Sequence, residues 1–219
     1  MFAIDGSDLH IPTNKDDPDS YFSRVNDQRP YNLLHLNALF DICEKTYIDA
    51  IIQKSRISNK NLALIDMVDR ISSEKPAIII ADRGYESYNA LAHIQEKGWK
   101  FLFHIKAPAS KGGIACCLDI PQTDEFDELV DLHLTAGRTK EHWEMYNSKN
   151  KYRRISHPES FDYFMTDDGT VDIYKIYTLS FASLNLNWKT TFTKLSLQIF
   201  HQKHFPKTIL NSCIHSVGH

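Results

Sequence analysis

Ala77-Ile78-Ile79-Ile80-Ala81-Asp82-Arg83-Gly84-Tyr85-Glu86-Ser87 runs from a short apolar block straight into a carboxylate. Pro76 precedes the block, and Ile78, Ile79 and Ile80 follow one another without alternation, which predicts a central strand covered on both faces. Gly84 closes it. A carboxylate at the carboxyl end of such a strand lies at the rim where open α/β sheets bind ligands, and Arg83 beside it supplies positive charge for an anion. Taken alone, Asp82 reads as a turn aspartate and Arg83 as a solvated side chain. A second segment changes the balance: in Phe2-Ala3-Ile4-Asp5-Gly6-Ser7-Asp8 an apolar run again ends on an aspartate, Asp5, followed by a glycine that permits tight backbone geometry. If the two strands are neighbours, Asp5 and Asp82 converge on one hard cation. Oxygen ligands with no local Cys or His favour magnesium or manganese over zinc. Such a pair ordinarily needs a third acidic residue to hold two ions about 3.5–4 Å apart for phosphoryl chemistry.

Working outward, Leu34, Leu36, Ala38, Phe40 and Ile42 alternate with His35, Asn37, Leu39 and Asp41, the period-2 signature of a strand, and a further strand is expected over Thr46–Ile52. With Phe2–Leu9 these form an antiparallel meander, on which His35 and Asp49 are expected to face solvent. The polar segment Pro12–Pro30 reads as a long loop, with Arg24 and Arg29 on its surface. A helix is predicted over Lys60–Ser72, capped by Asn59, with Leu64, Val68 and Ile71 on one face. A second helix, Tyr85–Lys97, is stopped by Gly98 and leads into a strand over Lys100–Ile105.

Ala3–Leu9, Tyr31–Ile52 and Ile78–Ala107 together resemble the catalytic core of bacterial insertion-sequence DDE transposases, in the group named for insertion sequence four. The Asp-Arg-Gly-Tyr segment in its strand setting carries most of that resemblance. It implies an α/β fold with a ribonuclease-H-like core, a mixed sheet with flanking helices, over residues 1–110. It also implies a β-rich insertion, here incomplete, over 111–181. Asp5 and Asp82 become the first two members of an acidic catalytic triad and ligands of Mg2+ or Mn2+, weakly held without the third carboxylate. Arg83 and Lys106 become DNA-contacting residues. The implied partners are transposon-end and target DNA and a second transposase chain, and the implied chemistry is strand nicking and transfer. A DNA-binding region is expected to precede the core in a complete member.

Length and composition fit a globular protein of one or two domains: 219 residues, 42% hydrophobic and 24% charged. No apolar run reaches the roughly 20 residues of a membrane span and no signal-peptide pattern is present, so the expected location is cytoplasmic with no membrane partner. Cys43, Cys116, Cys117 and Cys213 show neither a disulfide framework nor zinc spacing and read as reduced thiols. A net charge of −3 is low for a protein that neutralises phosphates. Within 111–181, the acidic cluster Asp124–Asp131 reads as the solvated face of a short helix or loop. Thr139–Tyr146 and Val171–Leu179 read as β-like runs, and Lys151-Tyr152-Arg153-Arg154 between them suits a DNA backbone.

From Ala182 to His219 the composition changes: this segment has no Asp or Glu, although the chain has 28. His201, His204, Cys213, His215 and His219 superficially resemble zinc ligands, but their spacing is loose. A neighbouring reading frame compatible with the codons from Ser180 onward resembles the family's continuation, so 182–219 is expected to be an out-of-frame tail and the catalytic glutamate to be untranslated. An inactive, truncated transposase remnant is the resulting expectation. A non-catalytic DNA-binding or transposase-binding remnant and a metal-dependent phosphohydrolase using Asp5 with Asp8 are the alternatives.

Overall fold

A computed structural model describes residues 1–23, 29–72, 75–107, 110–116, 118–121, 126–164, 173–184 and 196–201. Arg24, Asp124, Glu125, Cys117, Cys213, His204, His215 and His219 fall outside these.

The chain opens with β1 (Phe2–Ile11), a two-residue β2 (Tyr21–Phe22) inside the expected loop, β3 (Tyr31–Asp41) and β4 (Thr46–Lys54). β1 pairs antiparallel with β3 from Phe2–Asp41 to Ile11–Asn32, and β4 lies on the other side of β3, so the meander is present. Helix α1 (Lys60–Arg70) follows; the Asn59 side chain accepts the Leu62 N–H at 3.0 Å and caps it. Leu64, Met67 and Val68 are fully buried on its inner face, each contributing about 1.5–3 kcal/mol of apolar transfer.

Next come β5 (Ile78–Ala81), a 3-10 turn over Arg83–Tyr85, α2 (Tyr88–Glu96) and β6 (Lys100–Ile105). Gly98 ends α2 with φ +71°, a left-handed conformation that suits glycine. The helix starts three residues later than expected because Asp82 caps the 3-10 turn, its carboxylate accepting the Gly84 N–H at 2.9 Å. β5 is parallel to both β1 and β6.

The remaining elements are β7 (Phe126–Thr135), α3 (Lys140–Met145), β8 (Tyr152–Arg154), β9 (Ile173–Leu184) and β10 (Ser196–His201). They extend one mixed sheet in the order β2-β3-β1-β5-β6-β10-β9-β7-β8, with β4 paired to β3. β9 continues through Phe181, and β10 lies antiparallel between β6 and β9. The whole is an α/β arrangement.

Four expectations change. The β5 strand is not covered on both faces: Ile79 and Ala81 are buried, whereas Ile78 and Ile80 are only partly so. Ile79 and Ala81 belong to one buried cluster with Leu64, Met67 and Val68 of α1 and Leu91 and Ile94 of α2. His35 is buried at 6% exposure, because Asp8 from β1 partners its ring; Asp49 is half-buried and pairs with Arg70 on α1 at 2.7 Å. The described part of the acidic cluster, Phe126 to Asp131, lies on strand β7, with Val130 and Leu132 buried beside exposed Glu128 and Asp131. Thr139–Tyr146 is helical, since the Thr139 hydroxyl caps α3 by accepting the His142 N–H.

Candidate active site at the end of the parallel ladder

The register places the two aspartates side by side. Ile4 of β1 pairs with Ala81 of β5, and Ala81 pairs with Phe103 of β6. Asp5, Asp82 and His104 each follow one residue later, so they occupy one level across three neighbouring strands. Asp82 is still extended, at φ −79° and ψ 173°. Because side chains alternate along a strand, this row points away from the face on which Ile4, Ala81 and Phe103 are buried. Asp5 and Asp82 are exposed and His104 is half-buried.

Asp5 is not at the end of its strand, as its sequence setting suggested. β1 continues to Ile11 on the β3 side, while its parallel pairing with β5 stops at Ile4. Asp5 therefore sits where a ladder, not a strand, ends. Its carboxylate accepts the Gly6 N–H at 2.7 Å. Gly6 has no positive φ; glycine is required there by close approach. A Cβ on Gly6 would lie 2.7 Å from His35 Nε2 and 2.9 Å from Tyr85 Oη.

Tyr85 is fully buried beneath this point and donates its hydroxyl to Asn37 Oδ1 at 2.8 Å. Burial, then the charges of Asp5 and Asp82, push its phenol well above the ordinary value. Both carboxylates therefore act electrostatically on one hydroxyl. Asn37, also fully buried, directs its amide toward Gln53 Oε1 at 3.5 Å, and that oxygen accepts the N–H of Asn59, the α1 cap, at 3.1 Å. His35 Nδ1 meets Asp8 Oδ1 at 2.7 Å, while its buried Nε2 has no hydrogen-bond partner among the described residues.

Arg83 is exposed on the turn directly after Asp82. Lys106 follows β6 and is tied to Glu86, whose side chain is 1% exposed: Lys106 N–H donates to Oε2 at 3.0 Å and Nζ stands 3.1 Å from Oε1. Burial foremost, with Arg83 next, lowers the pKa of His104, opposed by Asp82 and Glu86.

Asn37, Glu86 and His104 have no role in the sequence reading, and Tyr85 enters it only as the last residue of the Asp-Arg-Gly-Tyr segment. The two exposed carboxylates suit a hard divalent cation. Among the described residues no group of three or more His, Cys, Asp or Glu is placed to hold one.

A family model described as "Transposase DDE domain" matches residues 1–194, past the composition break at Phe181. The chain belongs to the DDE transposase family. That membership implies a ribonuclease-H-like core, and family transposases act on DNA and use divalent metal ions such as Mg2+. No curated protein matches the chain. No helix among the described residues is long and apolar enough to cross a membrane.

Proposed function

We propose that this transposase chain carries the first two carboxylates of a metal-dependent centre for DNA strand nicking and transfer, with Asp5 and Asp82 as catalytic, metal-holding residues. The observation that carries this reading is their shared level at the end of the β1–β5 ladder. Asp8 is taken up by His35, which favours the Asp5–Asp82 pair over a local Asp5–Asp8 pair and so over the phosphohydrolase reading. A divalent ion bound there supplies Lewis-acid stabilisation of attacking and leaving oxygens. The chain's own contribution is to fix the two carboxylates on adjacent strands and to present Arg83 to a DNA phosphate from an exposed turn. Lys106 is the weaker phosphate contact, because Glu86 engages its ammonium group.

With no third carboxylate at the pair among the described residues, metal affinity is low and this chain alone nicks DNA poorly. Residues 111–181 are read as the β-rich insertion of the insertion-sequence-four group, whose basic residues Lys151, Arg153 and Arg154 approach the DNA backbone. The partners are DNA and a second transposase chain, in the cytoplasm. Nicking of supercoiled plasmid with Mn2+ tests the reading: the account expects trace nicking that disappears in Asp5→Ala and in Asp82→Ala. Nicking that survives both substitutions refutes it.

A further inference from the structure

The polar cluster beneath Gly6 is built from parts of the chain that are far apart in sequence, and its geometry concerns the separation of the two aspartates. Asp82 caps a 3-10 turn whose last residue, Tyr85, is buried in the core. The Tyr85 ring is fully buried, and its hydroxyl crosses under β1 to reach Asn37 on β3 at 2.8 Å. β1, which carries Asp5, runs between those strands and pairs Gly6 directly with Asn37. The missing side chain of Gly6 makes the crossing possible, since Tyr85 Oη lies 2.9 Å from where a Cβ would be. Lys60 Nζ of α1 sits over the ring, 5.6 Å from its centroid. The turn that bears Asp82 is thus fastened to the strand next to Asp5 by one hydroxyl.

We propose that Tyr85 is a positioning residue: its hydrogen bond to Asn37, passing beneath Gly6, fixes the Asp82 turn relative to Asp5 and so sets the carboxylate pair at the spacing a divalent ion requires. This rests on the assignment of Asp5 and Asp82 as metal-holding residues. Asn37 is held in turn by Gln53, and Gln53 by the α1 cap, so the acceptor is itself oriented. Tyr85 does not touch the metal or the DNA.

The experiment titrates Mn2+ into the full chain, reading free ion by electron paramagnetic resonance, for wild type, Tyr85→Phe, Tyr174→Phe and Asp82→Ala. Tyr174→Phe is the control for loss of a bonded tyrosine hydroxyl away from the site, since Tyr174 Oη donates to Glu96 at 2.6 Å and accepts from Gln95 at 2.9 Å. The proposal expects Tyr85→Phe to weaken Mn2+ binding about tenfold or more while remaining folded by circular dichroism, and Tyr174→Phe to bind within twofold of wild type. If wild type binds in an Asp82-dependent manner and Tyr85→Phe binds equally well, the positioning role is wrong and the site assignment stands. Equal weakening in Tyr85→Phe and Tyr174→Phe also overturns it, because the effect is then one of general stability. If Asp82→Ala binds as wild type does, the site assignment itself fails, and the positioning role with it.

Discussion

Gly6→Ala puts the cluster under the site to a direct steric test. The added methyl carbon would stand 2.7 Å from His35 Nε2 and 2.9 Å from Tyr85 Oη, whereas comfortable contact begins near 3.5 Å. One or both side chains must retreat by roughly 0.6–0.8 Å, taking 3.5 Å as the contact distance. Neither is free to do so cheaply: His35 is held by Asp8 at 2.7 Å and Tyr85 by Asn37 at 2.8 Å, and both rings are buried. Overpacking of this kind costs about 1–3 kcal/mol, against which alanine recovers about 0.5–1 kcal/mol of backbone entropy relative to glycine. The net destabilisation is about 1 kcal/mol at mid-range and about 2.5 kcal/mol at most. For a chain of this size about 1 kcal/mol lowers Tm by about 2–4 °C, measured by circular dichroism. Removing the Tyr85 hydroxyl takes away one of the two clashes, so Gly6→Ala combined with Tyr85→Phe should cost less than the sum of the single changes. A Gly6→Ala chain as stable as wild type, or strictly additive costs in the double variant, refutes the close-packed crossing.

Other consequences are simpler to check. Asn59→Ala removes the cap of α1 and should cost about 1 kcal/mol, lowering Tm by about 2–4 °C; an unchanged Tm contradicts the capping role. The Asp162 side chain accepts from Asn89 at 2.7 Å and meets His93 at 3.0 Å, and these bonds, Asn89 first, hold its carboxyl below the ordinary range. A depressed carboxyl stabilises the fold above its ordinary pKa and loses that contribution as pH falls through the depressed value. Wild type should therefore lose more Tm than Asp162→Asn between pH 5 and strongly acidic pH; parallel profiles contradict this. Arg154 stacks on Trp143 with its guanidinium carbon 5.0 Å from the ring, and Arg154→Ala should reduce the salt slope of DNA binding by about one unit; an unchanged slope removes it from the interface.

What the sequence made legible was local. The Lys100–Ile105 strand, the Asn59 cap and the Gly98 stop depend on residues within a few positions of one another, and each is present in the structure. Asp5 and Asp82 were marked by apolar runs ending in a carboxylate, although their adjacency rests on a parallel register that no short-range pattern encodes. The solvent-facing expectation for His35 fails for the same reason, since its ring is buried. Alternation with Leu34, Leu36 and Ala38 makes His35 look solvent-facing, but its buried ring meets the exposed Asp8 of β1, while the neighbouring Asn37 bonds the buried Tyr85 in the interior. Glu86 could not be recognised as a buried acid without knowing that Lys106 and Gly113 close around it. The Thr139 cap is readable in principle, since threonine ahead of Lys140-Glu141-His142 is a helix-start pattern, although Thr139–Tyr146 reads from the sequence as a β-like run.

The most direct test of the central claim is calorimetric titration of Mn2+ into wild type, Asp5→Ala, Asp82→Ala and the double variant. One shared site predicts that each single substitution removes the Asp-dependent binding heat and that the double variant is no worse than either single one. Binding that persists undiminished in either single variant would contradict the claim that Asp5 and Asp82 form one metal-holding pair.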